Sequence, residues 1–160
     1  MKGLLFQSDD EAETLARQAI LAIESEFSPY AYKHRLAGYG KQLSFTIKDE
    51  DLSPLVQWQT HFDVPLGIVQ CYLDSAYFLP FTTLLAGIKD GTIRKKMERA
   101  YNKPVYYPPM SKGIDFGGFS KPPGIAAEVF LDKYGKYTAI RKVTGGALSL
   151  SAEMRAIVIA

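Results

Sequence analysis

The amino-acid sequence predicts an α+β (or α/β) single domain, with a central mixed sheet flanked by helices and a β-rich C-terminal part. Three features carry that expectation. Apolar residues recur at helical spacing near the N-terminus, Val64 to Leu73 (VPLGIVQCYL) is almost continuously apolar, and the last third alternates about turn residues. The chain has 160 residues, 47% of them hydrophobic and 22% charged, the proportions of one ordinary globular domain. A chain of that size buries about 70% of the surface its unfolded form exposes, enough for a core without disulfides or metal.

Ser8-Asp9-Asp10-Glu11 fits a capping box, and Ala12, Leu15, Ala16, Ala19, Ile20, Ile23 and Phe27 then mark one face of a helix that Ser28-Pro29 ends. Tyr30 to Leu36 reads as extended, Gly38-Tyr39-Gly40 as a turn, and Leu43, Phe45 and Ile47 as the buried side of a half-covered strand, together a hairpin. Ser53-Pro54 starts a second helix reaching Phe62. Val64 to Leu73, rich in β-branched residues, suits a central strand covered on both faces, and Ala76 to Phe81 offers another strand after Asp74-Ser75. Thr92 caps an expected third helix to Tyr101, with Arg94, Lys95, Lys96 and Arg99 on its outer face.

Residues 1–101 thus form the α/β core. Residues 102–124, with five prolines and four glycines, read as a loop of little regular structure. Residues 125–160 form a β-hairpin region, in which Ile125 to Leu131 and Lys136 to Val143 flank Asp132-Lys133-Tyr134-Gly135.

Several chemistries are excluded. His34 and His61 are the only histidines and lie in no zinc-protease motif, and no stretch fits a phosphate-binding glycine loop, a dinucleotide fingerprint or a serine elbow. Cys71 is the only cysteine, which removes an intramolecular disulfide and an all-cysteine zinc site. Inside its apolar run an inert buried thiol is favoured over a nucleophile. The N-terminal MKGLLFQSDDEAET has too short an apolar run for a secretory signal or a membrane span, so a cytosolic (cytoplasmic) chain is expected. A formal net charge of +2 neither requires nor excludes nucleic acid.

The stretch AYKHRLAGYGKQLSFTIKDEDLSPLVQWQTHFDVPLGIVQCYLDSAYFLPF, about a third of the chain, resembles the core of the PD-(D/E)XK nuclease superfamily, known from restriction endonucleases. There a strand carrying Glu-x-Lys is followed by a helix and an apolar strand. The resemblance implies a restriction-endonuclease-like core, DNA as a partner and, in an active member, Mg²⁺-dependent phosphodiester hydrolysis, with carboxylates holding the ion and a lysine positioning water. The matching position is Ala31-Tyr32-Lys33, in which alanine replaces glutamate. Lys33 and a migrated carboxylate, Glu26 or Glu24, are then the catalytic candidates of a degenerate or rearranged site. Both glutamates also read as solvated residues at a helix end.

Arg35, Lys41, Arg94, Lys95 and Lys96 are candidate phosphate contacts, although for the last three a solvated helix face, which needs no nucleic acid, is the favoured reading. An alternative function is a noncatalytic small-molecule or protein-binding module, its pocket lined by Tyr106, Tyr107, Phe116 and Phe119. A self-associating chain, as a homodimer, is a third.

Overall fold

The apolar run after Val64 becomes the middle of the molecule. The computed structural model describes residues 9–27, 43–98, 102–131, 135 and 137–159. In it β3 (Leu66–Cys71) pairs in parallel with β1 (Ala22–Phe27) on one side and antiparallel with β4 (Ser75–Pro80) on the other. The sheet continues through β7 (Ile114–Lys121) to β10 (Ala147–Leu150), giving a five-stranded mixed sheet of order β1-β3-β4-β7-β10. Alternation along β3 sends Ile68 into one core cluster and Val69 into another, so the strand is covered on both faces as its composition requires.

On the Ile68 side lie α2 (Asp49–Phe62), α3 (Phe81–Lys89) and a small sheet of order β2-β6-β5, built from β2 (Ile47–Lys48), β6 (Lys103–Tyr106) and β5 (Lys95–Glu98). Phe45, Ile47, Phe81, Leu84, Ile93 and Tyr106 fill that core with Ile68 and Leu79. On the Val69 side Phe78, Phe116 and Met154 pack beneath α4 (Ala152–Ile159). Ser151 caps that helix, its hydroxyl accepting the Met154 N–H at 3.1 Å and donating to the Asp115 carbonyl. The fold is α+β, as the sequence predicts, with helices on both sides of a mixed sheet.

Several boundaries differ from expectation. The first helix, α1 (Asp9–Arg17), is short, and the residues expected to continue it form β1. Pairing along all of β3 gives Ala22 to Phe27 a full ladder, which outweighs the helical spacing of Ile20, Ile23 and Phe27. Only Ile47 and Lys48 of the segment after Leu43 are strand, although Phe45 and Ile47 are buried as the alternation predicts. The next helix starts at Asp49, not Ser53, which leaves Pro54 inside it.

The expected helix after Thr92 is also a correction, because Lys95–Glu98 is the strand β5, paired antiparallel with β6. Residues 102–124 are not a structureless loop, since they hold β6, a single 3₁₀ turn at Met110–Lys112 and the sheet strand β7. Pro104 is tolerated because it lies beyond the two-residue β2, where β6 has a neighbour only in β5. The C-terminal hairpin forms as read, with β8 (Gly124–Leu131) antiparallel to β9 (Tyr137–Thr144). The final apolar run is helical, in α4. The hairpin expected before Leu43 lies outside the described residues, and among those described no helix is long and apolar enough to cross a membrane.

Candidate functional site

A strand puts alternate side chains on one face, so Glu24 and Glu26 of β1 share a face with Ile68 and Gln70, their partners on β3. β1 is the edge of the sheet. Glu24 is exposed there, while Glu26 is half-buried toward the end of the strand. Burial pushes the Glu26 carboxyl above its ordinary range; Lys48 pulls it back down, while Glu24 and Asp51 push it further up. Three charges thus act on the Glu26 carboxyl. Lys48 comes from β2 and Asp51 from the first turn of α2, and their side chains approach to 3.8 Å with both still solvated.

Gln70 supports the same corner from below. It is 5% exposed, its side-chain amide donates to the Glu26 main-chain carbonyl at 3.3 Å, and its Oε1 has no hydrogen-bond partner among the described residues. The other side of this strand end borders a cavity of about 230 Å³ bounded by Ser25, Glu26, Cys71, Phe119, Pro123 and Gly145. Burial raises the Cys71 thiol above its usual range, which keeps it protonated and favours the inert reading.

The other candidates scatter. Lys33, Arg35 and Lys41, with Ala31, lie outside the described residues. Arg94 donates through Nε to the Gly91 carbonyl at 3.3 Å. Lys95 is ion-paired with Asp49 at 3.1 Å, and this partner raises its pKa. Lys96 borders a separate open groove of about 540 Å³ with Ser44, Thr92, Glu98 and Tyr107. A strand alternates Lys95 and Lys96 between faces, so the continuous basic helix face expected from the sequence does not form.

The proposed aromatic pocket is likewise divided. Tyr106 and Phe116 are buried in different core clusters. Tyr107 donates to the Glu98 carboxylate and borders the large groove, while Phe119 borders the small cavity.

Sequence reasoning named Glu26 and Glu24 but set them at a helix end, and it missed Lys48, Asp51 and Gln70. The available signal was the Glu24-Ser25-Glu26 alternation after an apolar run. No family model, curated protein or solved structure matches the chain, so the reading of this site rests on its own geometry.

Proposed function

We propose that the chain is a nucleic-acid-binding, nuclease-like protein of the restriction-endonuclease-like type, with a rearranged site at Glu24 and Glu26. The observation that carries this reading is the charged corner itself: two carboxylates on one face of β1, one of them half-buried, with Lys48 and Asp51 in electrostatic reach. The helix and apolar strand of the nuclease resemblance are present as α2 and β3, while β1, which carries these carboxylates, precedes the matched stretch that begins at Ala31.

Mg²⁺ is commonly held by one or two carboxylates and completed by phosphate oxygens and water. Glu24 and Glu26 are the residues that would hold it. When bound, the ion would neutralise phosphate charge and acidify a water. Among the described residues no three His, Cys, Asp or Glu side chains stand close enough to share an ion. Two carboxylates alone would leave the rest of an Mg²⁺ shell to phosphate oxygens and water. The exposed ammonium of Lys48 would pair with a phosphate oxygen, and Gln70 holds the Glu26 backbone in register.

The test is binding and nicking of supercoiled and linear duplex DNA with Mg²⁺, Mn²⁺ or chelator, for the native chain, Glu24→Gln and Glu26→Gln. Salt-sensitive duplex binding is expected, with slow Mn²⁺-supported nicking that falls about tenfold or more in either variant, as for loss of a group that holds the reacting centre. Absence of binding at low salt removes the nucleic-acid reading. Binding and nicking untouched by both substitutions would place the site elsewhere.

A further inference from the structure

β7, β8, β9 and β10 are successive parts of one long hairpin. Its lower half, β7 with β10, belongs to the main sheet, where Lys121 pairs with Ala147. Its upper half, β8 with β9, is a separate two-stranded ribbon of eight residues per strand, in register from Gly124↔Thr144 to Leu131↔Tyr137. The halves are joined by Pro122-Pro123 on one strand and Gly145-Gly146 on the other, with both glycines at positive φ (64° and 88°). Proline breaks the ladder on one side while glycine takes up the left-handed backbone on the other, so the ribbon leaves the sheet as an arm.

Among the described residues the arm packs substantially on no other element. Its strands span about 27 Å at 3.4 Å per residue. Val129, Leu131 and Tyr137 are 64%, 59% and 81% exposed. Leu131 lies directly across from Tyr137, and Val129 is two residues from Leu131, so all three share one face toward the tip. From Lys121 to Thr144 the sequence carries Lys121, Lys133, Lys136, Arg141 and Lys142 against Glu128 and Asp132, a basic balance. The arm's root lies at the same strand end as Glu26 but on the side opposite the Lys48 corner, since Pro123 and Gly145 border the cavity beside Ser25, Glu26 and Cys71.

We propose that the β8–β9 arm is a clamp that enters a groove of duplex DNA whose backbone runs past the end of β1 at Glu26. This rests on the nucleic-acid reading above and adds to it the element that would select double-stranded partners. The major groove, about 12 Å wide, admits a two-stranded β-ribbon, and thymine methyls there offer apolar contacts to side chains such as Val129 and Leu131. The cations supply phosphate attraction. A second copy of the chain is the weaker occupant: one ribbon face covers roughly 270 Å² in plan from the strand dimensions, far below the roughly 800 Å² per partner of a standard protein interface.

The experiment measures affinity of the full chain for a duplex and for single strands of the same sequence across a salt series. Three variants accompany it: Arg141→Ala with Lys142→Ala, Val129→Ser with Leu131→Ser, and a shortened chain with residues 125–143 replaced by Asn-Gly. Thermal unfolding checks that each is folded, and the two double substitutions keep the test valid if the shortened chain is not. The cation pair should make the log-affinity against log-salt slope shallower by about two. The shortened chain should bind weakly and lose the preference for duplex. Intact binding with all three variants unchanged overturns the clamp and leaves the nuclease-like reading standing. No binding by the native chain overturns both. A native dimer that the Val129/Leu131 variant converts to monomer, with DNA affinity unchanged, assigns the arm to self-association and overturns the clamp.

Discussion

The side-chain amide of Gln70 donates to the main-chain carbonyl of Glu26 at 3.3 Å, tying the central strand to the edge strand at the point where a half-buried carboxyl sits. Gln70 is almost wholly covered, so a carboxylate of the same shape there would be desolvated beside an existing carboxyl. Gln70→Glu is expected to cost about 2–4 kcal/mol at pH 7, the equivalent of a pKa displaced by a few units. The loss should shrink near pH 4, where the new group is protonated. Urea denaturation at both pH values checks it, and an equal loss at both would mean that charge is not the cause.

Glu26 itself gives a pH signature. Its folded-state pKa is raised above the ordinary 4.5, chiefly by burial. Below the ordinary value both folded and unfolded states are protonated and the group takes nothing from stability. As pH rises the unfolded chain releases its proton first, so this contribution to stability declines until the folded pKa is passed. Glu26→Gln cannot ionise and should therefore gain on the native chain between pH 4 and pH 7. Parallel stability curves for the two proteins would contradict the buried carboxyl.

The core strand was legible because its signal was redundant: Leu66 to Gln70 are apolar or packed on both sides, and no alternative to a central strand hides that many side chains. The β8–β9 hairpin was legible from alternation around Asp132-Lys133-Tyr134-Gly135. β1 was not, because Ile20, Ile23 and Phe27 satisfy helical spacing while Glu24 and Glu26 satisfy strand spacing. The decision between them comes from β3, a partner 44 residues away for Glu26 and Gln70. Lys48 and Asp51 were illegible for the same reason. They reach Glu26 only through the placement of β2 and α2 over the sheet, which no local pattern encodes.

Gly67 offers a packing test of that sheet. A Cβ built there would stand 1.9 Å from Cε2 and 2.2 Å from Cζ of Phe78, a ring that is 3% exposed. Gly67→Ala must displace the ring within a filled core and should cost about 1–3 kcal/mol. Shortening the obstacle with Phe78→Leu should recover part of the loss, giving a coupling of at least about 0.5 kcal/mol in a double-mutant cycle. Additive losses would show that Gly67 is required by the backbone and not by the ring.

Lys48 and Lys95, on the two outer strands of the small sheet, separate the corner at Glu26 from the basic patch that the sequence suggested. The ammonium of Lys95 is held by Asp49 at 3.1 Å, so its charge is already matched within the protein. Lys48 approaches Asp51 only to 3.8 Å and also acts on Glu26, so its charge borders the carboxylates that would meet a phosphate. If DNA binds at that corner, Lys48→Met should make the salt slope of duplex affinity shallower by about one, the change expected for one lost phosphate contact. Lys95→Met should leave the slope as it is, because removing a cation already paired with Asp49 releases no contact to DNA. Fluorescence anisotropy over a salt series distinguishes the two. A slope that responds to Lys95 and ignores Lys48 would move the nucleic-acid surface from the edge of β1 to the small sheet of β2, β6 and β5, and would separate DNA binding from Glu24 and Glu26 altogether.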